Sequence, residues 1–204
     1  MIERITEETE ARMVARIFRV HWATVCERLE VSGQAACKFG VVEPIIKNQN
    51  SKPGDIDVLL GDRSAPEKAI AIECKRIKIT AVSPGSDTVN KLSGIETGRA
   101  QAEALCKMGF YKTYLALLLQ ADVLERYDGG SLFKFPLPET LAEVQKCLRS
   151  CQLCSHGGIL CIENTQPAEE SYENLGGLSV EIIRKPIPHD QSTELTALVA
   201  AALK

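Results

Sequence analysis

Three residues of this 204-residue chain have the types and spacing to act on a phosphate: Asp57, Glu73 and Lys75. Carboxylates converging from neighbouring strands suit a hard divalent cation, and Mg²⁺ (or Mn²⁺) fits such a partial cage because it keeps several waters for substrate. A cation held there would polarise a scissile phosphate, activate a water and stabilise the leaving oxygen. Lys75, two residues beyond Glu73 on the same strand face, can place an ammonium beside the attacking water or the developing charge. Cys74 then points the other way, into the core, while its backbone carbonyl is a candidate third metal ligand. Asp55, on the same face as Asp57, is the fallback carboxylate. A plain cross-strand ion pair is the competing reading. Against it, three chargeable groups facing inward on a central sheet are costly to bury without a ligand.

The elements that must carry these residues follow from periodicity. Between residues 6 and 29, Met13, Val14, Ile17, Phe18, Val25 and Leu29 recur at helical steps, which predicts one amphipathic helix ended by Ser32-Gly33. Residues 39–46 are rich in β-branched types and predict a strand, and 48–54 a polar turn containing Pro53-Gly54. Residues 56–60 and 69–79 predict two more strands, joined by a loop at 61–66. In the second of these, Ile70, Ile72 and Cys74 alternate with Ala71, Glu73 and Lys75 at period two. Residues 81–87 read as a mobile loop and 89–108 as a helix stopped by Gly109. The nearly continuous apolar run 111–120 predicts a central strand covered on both faces, reached by a crossover connection. A helix at 138–151, strands at 158–163 and 178–184, and a helix at 192–203 complete the pattern.

In this context Gly54-Asp55-Ile56-Asp57-Val58-Leu59-Leu60, followed by Ile70-Ala71-Ile72-Glu73-Cys74-Lys75-Arg76, resembles the PD-(D/E)xK nuclease superfamily. The resemblance covers about residues 1–120 and leaves an extension of helix and strand at about 121–204, within one domain spanning 1–204. It implies an α/β fold with a restriction-endonuclease-like mixed β-sheet flanked by α-helices. It also implies metal ligation by Asp57 and Glu73, and hydrolysis of phosphodiester bonds by a DNA endonuclease of restriction or repair type. Asp57 matches the motif aspartate, Glu73 the acidic position and Lys75 the motif lysine. Members often add a glutamine from the following helix and a carboxylate from a preceding one. Gln101 fits the first role loosely. Glu10 fits the second, although beside Glu7 and Glu8 a solvated face is the preferred reading. The alternative function is a catalytically inactive module that keeps the fold and binds nucleic acid or a protein partner.

Composition bounds these readings. Hydrophobic residues make up 45% and charged residues 25%, values of a globular protein. The formal net charge of −3 argues against a strongly basic nucleic-acid coat. Local groups such as Lys68, Lys75, Arg76 and Lys78, or Lys91, Arg99, Lys107 and Lys112, can still line a cleft. No apolar stretch approaches the ~18–20 residues that cross a bilayer, and the acidic start does not read as a secretory signal, so a cytoplasmic protein without a membrane partner is expected. Cutting both strands of a duplex would favour a homodimer. Among eight cysteines, the spacing of Cys147, Cys151, Cys154 and Cys161 raises the question of zinc or an iron–sulfur cluster. Leu141, Val144, Cys147, Leu148 and Cys151 form one helical stripe, however, where cysteine behaves as a small buried apolar residue, and core packing is the expectation.

Overall fold

The apolar stripe at the start of the chain folds as two helices, α1 (Glu10–Val20) and α2 (Trp22–Leu29), separated at His21. Backbone hydrogen bonds run on both sides of the break, from His21 N–H to the Ile17 carbonyl and from Val25 N–H to that of His21. One residue leaves helical geometry while the apolar spacing continues, so periodicity alone reads straight through it. The computed structural model describes residues 10–47, 53–83, 86–90, 94–122, 131–167 and 176–204. The start of the expected first helix (residues 6–9), residues 48–52 of the polar turn, and Lys91 lie outside them.

A hairpin follows: β1 (Ala36–Val41) pairs antiparallel with β2 (Ile56–Asp62), with Phe39 opposite Val58. The expected strand 39–46 is thus shifted toward the N-terminus. Pro44 has no N–H for a ladder, and Ile45 and Ile46 are buried as a plug beneath Leu195 and Val199 instead of in a strand. The anticipated loop 61–66 shrinks to a tight turn at Arg63-Ser64, where the Asp62 carboxylate accepts the Ser64 N–H at 2.8 Å. The chain returns as β3 (Ala65–Ser83), antiparallel to β2 with Ile72 opposite Val58. Residues 81–83 and 86–87 are strand where a loop was expected, and 84 and 85 lie outside the described residues. β3 continues to Ser83 and β4 (Ser86–Asn90) pairs back on it, Asn90 opposite Lys78. These are polar residues whose pairing rests on backbone groups, so no hydrophobic alternation announces it.

Helix α3 (Gly94–Met108) then crosses over to β5 (Lys112–Asp122), parallel to β3 with Glu73 opposite Leu115. A short strand β6 (Ser131–Lys134) and helix α4 (Pro138–Ser150) lead to β7 (Gly157–Asn164), parallel to β5. After β8 (Gln166–Pro167), β9 (Leu178–Arg184) pairs antiparallel with β7, and α5 (Thr193–Ala202) ends the fold, its Ser192 hydroxyl capping the Leu195 N–H. All nine strands of the described residues belong to one mixed sheet. The last third therefore extends the same sheet, and α5 packs back against the motif strands through Leu195, Val199 and Leu203. The short β6 and β8, attached to the end of β5, had no counterpart in the sequence pattern.

The period-two alternation of β3 decides what each face buries. Ile70, Ile72 and Cys74 join Met13, Ile17, Phe18 and Leu29 under α1 and α2. Ala71, Ile77 and Ile79 face the side covered by α3, α4 and α5. Burial of each such Ile or Leu contributes roughly 1.5–3 kcal/mol relative to exposure. That anchoring fixes the register that puts Glu73 and Lys75 on the α3 side.

Candidate active site

The edge of β3 that faces β2 is covered in two pieces. The β2 ladder reaches Ile72 and the β4 ladder starts at Lys78, so residues 73–77 lie in the interval between them. Asp57, at the start of β2, reaches into that interval: its Oδ2 accepts the Cys74 N–H at 2.7 Å. Because N–H and C=O of one strand residue point the same way, the Cys74 carbonyl is directed to the same edge as Asp57. The Cys74 side chain lies fully buried in the core on the α1 side, as the alternation requires.

Glu73 is buried to 1% exposure. Lys75 Nζ lies 2.7 Å from Glu73 Oε1, an ion pair, while Glu73 Oε2 has no hydrogen-bond partner among the described residues. Buried carboxylates normally accept several such bonds, so the acceptor capacity at Oε2 is unmet among the described residues. Burial, then the charge of Asp57, pushes the Glu73 carboxyl up to about 8, against which Lys75 pulls. Burial likewise pushes Asp57 up to about 6, opposed by the Cys74 N–H and Lys75. Desolvation works to lower Lys75, but Glu73, Asp57 and Glu10 outweigh it, and its pKa is raised.

Glu10 belongs to this group. It sits in the first turn of α1, 3.7 Å from Lys75 Nζ and with its side chain 37% exposed, a third carboxylate around one lysine that still faces solvent. Asp55 is half-buried and acts electrostatically on both Asp57 and Glu73. Gln101 is also half-buried, on α3 one turn beyond Gly98. Gly98 is the residue that sequence reasoning missed. A Cβ there would stand 2.6 Å from Lys75 Cγ and 2.9 Å from Leu115 Cδ1, so only glycine lets α3 rest on the lysine stem. No sequence signal distinguishes it from the small residues around it.

The other anticipated groupings fare differently. Arg99 is paired with Glu96 at 2.8 Å and Glu103 at 2.9 Å, Lys107 lies 3.9 Å from Glu103, and Lys112 lies 3.4 Å from Glu30. These cations are largely neutralised by their own neighbours. Among the described residues no three His, Cys, Asp or Glu side chains are grouped as a metal cage. Cys151 and Cys161 are buried, Cys147 packs against the α4 side of the core, and all three act as apolar residues there. A cation at Asp57 and Glu73 would need a backbone oxygen as its third protein ligand. No described helix is long and apolar enough to cross a membrane.

The described residues define a mixed α/β sheet carrying a buried glutamate, a half-buried aspartate and a lysine. No protein-family model matches the chain, and no curated protein sequence does. A solved structure that aligns with it is a protein of unknown function from Silicibacter pomeroyi, at 13% identity and a TM-score of 0.40 over 93% of this chain and 77% of that one.

Proposed function

We propose that this protein is a metal-dependent DNA endonuclease that hydrolyses phosphodiester bonds, with a restriction-endonuclease-like sheet of the PD-(D/E)xK kind. One observation carries the reading: the buried Glu73 carboxylate beside Asp57, with Lys75 on one oxygen and no hydrogen-bond donor among the described residues on the other. A buried and a half-buried carboxylate side by side repel each other when ionised, and a divalent cation relieves both the repulsion and the unmet acceptor capacity. The donor set of hard oxygens fits Mg²⁺ or Mn²⁺. Asp57, Glu73 and the Cys74 carbonyl would hold it, with Asp55 in reserve. When bound, the ion supplies Lewis-acid polarisation of the phosphate and a more acidic water.

The chain's own residues do the rest. Lys75 keeps its proton, because the surrounding carboxylates favour the ammonium, so its Nζ acts as a fixed positive charge toward a phosphoryl oxygen rather than as a base. Glu10 restrains that ammonium from one side and Gly98 brings α3 down on its stem from the other. The Cys74 N–H holds Asp57 in one orientation. Incubation of the purified protein with plasmid and linear DNA, with Mg²⁺, with Mn²⁺ and with chelator, tests the reading. Cleavage that needs the cation and vanishes in Glu73→Ala and Lys75→Ala is expected; cleavage that survives both substitutions sinks it.

A second reading draws on the ion pairs of Lys75 with Glu73 and Glu10, which already neutralise much of the site. An inactive module binding nucleic acid or a protein would keep such a network. Calorimetry separates the two, since Mn²⁺ uptake that depends on Asp57 belongs to the enzyme alone.

A further inference from the structure

The C-terminal end of α3 meets the turn between α4 and β7, and a cysteine stands on each side of that junction. Cys106 lies in the last turn of α3 and Cys154 in the turn leading into β7, both half-buried and both free. Their thiols are in side-chain hydrogen-bonding contact. The turn is shaped around the Cys106 sulfur, since a Cβ on Gly157 would stand 3.1 Å from Cys106 Sγ and 3.4 Å from the Cys154 carbonyl oxygen. Both backbones are held. The Gly157 N–H closes the turn on the Cys154 carbonyl at 3.0 Å, and the Arg184 guanidinium donates to the carbonyls of Cys154 at 3.3 Å and Gly157 at 2.6 Å. On the α3 side, the Cys106 carbonyl accepts the Gly109 N–H at 3.0 Å. The other thiols sit differently. Cys74, Cys161 and Cys151 are buried, and Cys147 packs against the α4 side of the core. Cys26 neighbours Cys37 but is 5% exposed, its thiol turned onto the Ser32 carbonyl at 3.7 Å.

We propose that Cys106 and Cys154 form a peroxide-sensitive modification site, at which oxidation joins α3 to the α4–β7 turn through a reversible disulfide. A disulfide forms without backbone movement only between side chains that already face each other, and the thiol contact across a closed turn supplies that. The oxidant is a hydroperoxide such as H₂O₂. The Cys154 sulfur attacks the O–O bond, which breaks to leave Cys154 as a sulfenic acid and release one water. The Cys106 sulfur then displaces the sulfenic oxygen: the S–S bond forms, the S–O bond breaks, and the Cys106 proton leaves with that oxygen as a second water. Two thiols and one peroxide thus give one disulfide and two waters. Burial, then the hydrogen bond and charge of Cys154, push the Cys106 thiol up, which suits it to the second step rather than the first. A dithiol reductant restores both thiols by exchange. The site is independent of the nuclease reading. Its bridge closes a loop of about 50 residues and pins the helix whose Gly98 rests on Lys75.

The experiment treats the intact reduced protein, in chelator, with a small excess of H₂O₂, then alkylates it in denaturant and maps the cysteines by mass spectrometry. The free-thiol count should fall from eight to six, with the tryptic peptide 100–107 joined to 150–184 and the bridge placed on Cys154 by fragmentation. Dithiothreitol should return all eight thiols. The oxidised protein should melt about 5–10 °C higher than the reduced one, because the closed loop restricts the unfolded chain. Cys106→Ser should strand Cys154 as a sulfenic acid that dimedone traps, and Cys154→Ser should leave Cys106 fully alkylated. The wild-type map decides the matter even if a variant fails to fold. A first bridge between Cys26 and Cys37, a bridge between two chains, or over-oxidation of Cys154 beside an alkylated Cys106 would each overturn the proposal. So would eight thiols unchanged by peroxide.

Discussion

Replacing Glu73 by glutamine keeps its shape and removes its charge, and the metal-free protein should become more stable for it at alkaline pH. The Glu73 carboxyl is raised from an ordinary 4.5 to about 8. The folded chain therefore holds a proton that the unfolded chain has released. A raised carboxyl contributes its full stability below the unfolded pKa and loses it as pH climbs through the folded one, so the window runs from about 4.5 to about 8. At ~1.4 kcal/mol per pH unit the whole shift corresponds to ~5 kcal/mol. Part of it belongs to Asp57, itself raised to about 6, so a single substitution should recover about 2–3 kcal/mol. For a chain of this size that is a melting difference of roughly 5–10 °C.

Thermal unfolding of wild type and Glu73→Gln, in chelator from pH 5 to pH 9, reads this out. The difference between the two curves isolates one group from everything else that titrates. Near-equal melting at pH 5 and an advantage for the variant growing toward pH 8.5 are expected. Mg²⁺ should then raise the wild-type melting point at pH 8.5, about 2.7 kcal/mol at a hundredfold excess over the dissociation constant, and leave the variant unmoved. Parallel curves, or a variant less stable at pH 8.5, would refute the claim that burial costs the ionised Glu73 more than Lys75 returns.

Lys75→Met should cut cleavage by about 10²–10³-fold while metal uptake, followed by calorimetry, persists, because the ammonium stabilises charge and does not ligate. Gly98→Ala would push α3 off the Lys75 stem; a loss of about 1–3 kcal/mol in denaturant unfolding and a drop in cleavage larger than the stability loss alone explains are expected. Arg184 donates to the carbonyls of Gly157, Leu153 and Cys154, so Arg184→Met should cost about 2–3 kcal/mol in the same assay, with metal binding intact. If the four C-terminal cysteines are core residues, prolonged chelation should leave the melting point unchanged and the protein colourless and zinc-free by elemental analysis.

Much of this architecture is legible in the residues themselves. β2, β5, β7, β9 and the helices after β4 fall close to where apolar periodicity puts them, because each buries a face or both. Asp57, Glu73 and Lys75 are legible for a related reason: charged residues at one phase of an otherwise apolar strand are conspicuous. What periodicity does not see is pairing by backbone alone, as in β4, β6 and β8, or a break of one residue, as at His21. It is equally blind to contacts that exist only in space. Glu10 looks like one acid among several until α1 docks with its first turn at Lys75, and Gly98 looks like any small helical residue until α3 meets the lysine stem.

The site owes its existence to an irregularity of the sheet. If β2 paired with β3 beyond Ile72, or β4 began before Lys78, the Cys74 N–H and C=O would be consumed by a ladder and Asp57 would have nothing to cap. The interval leaves main-chain groups of a fully packed strand pointing at a carboxylate, next to a glutamate that the same strand buries. Packing on both faces keeps Glu73 from turning to water, since Ile72 and Cys74 are locked under α1 and α2, and Ile77 lies in the core on the α3 side. Rigid surroundings and an unmet acceptor are what a cation site needs before the cation arrives, because they keep the carboxylates from relaxing onto other donors. The same rigidity explains why the ionised, metal-free state should be the least stable form of this protein.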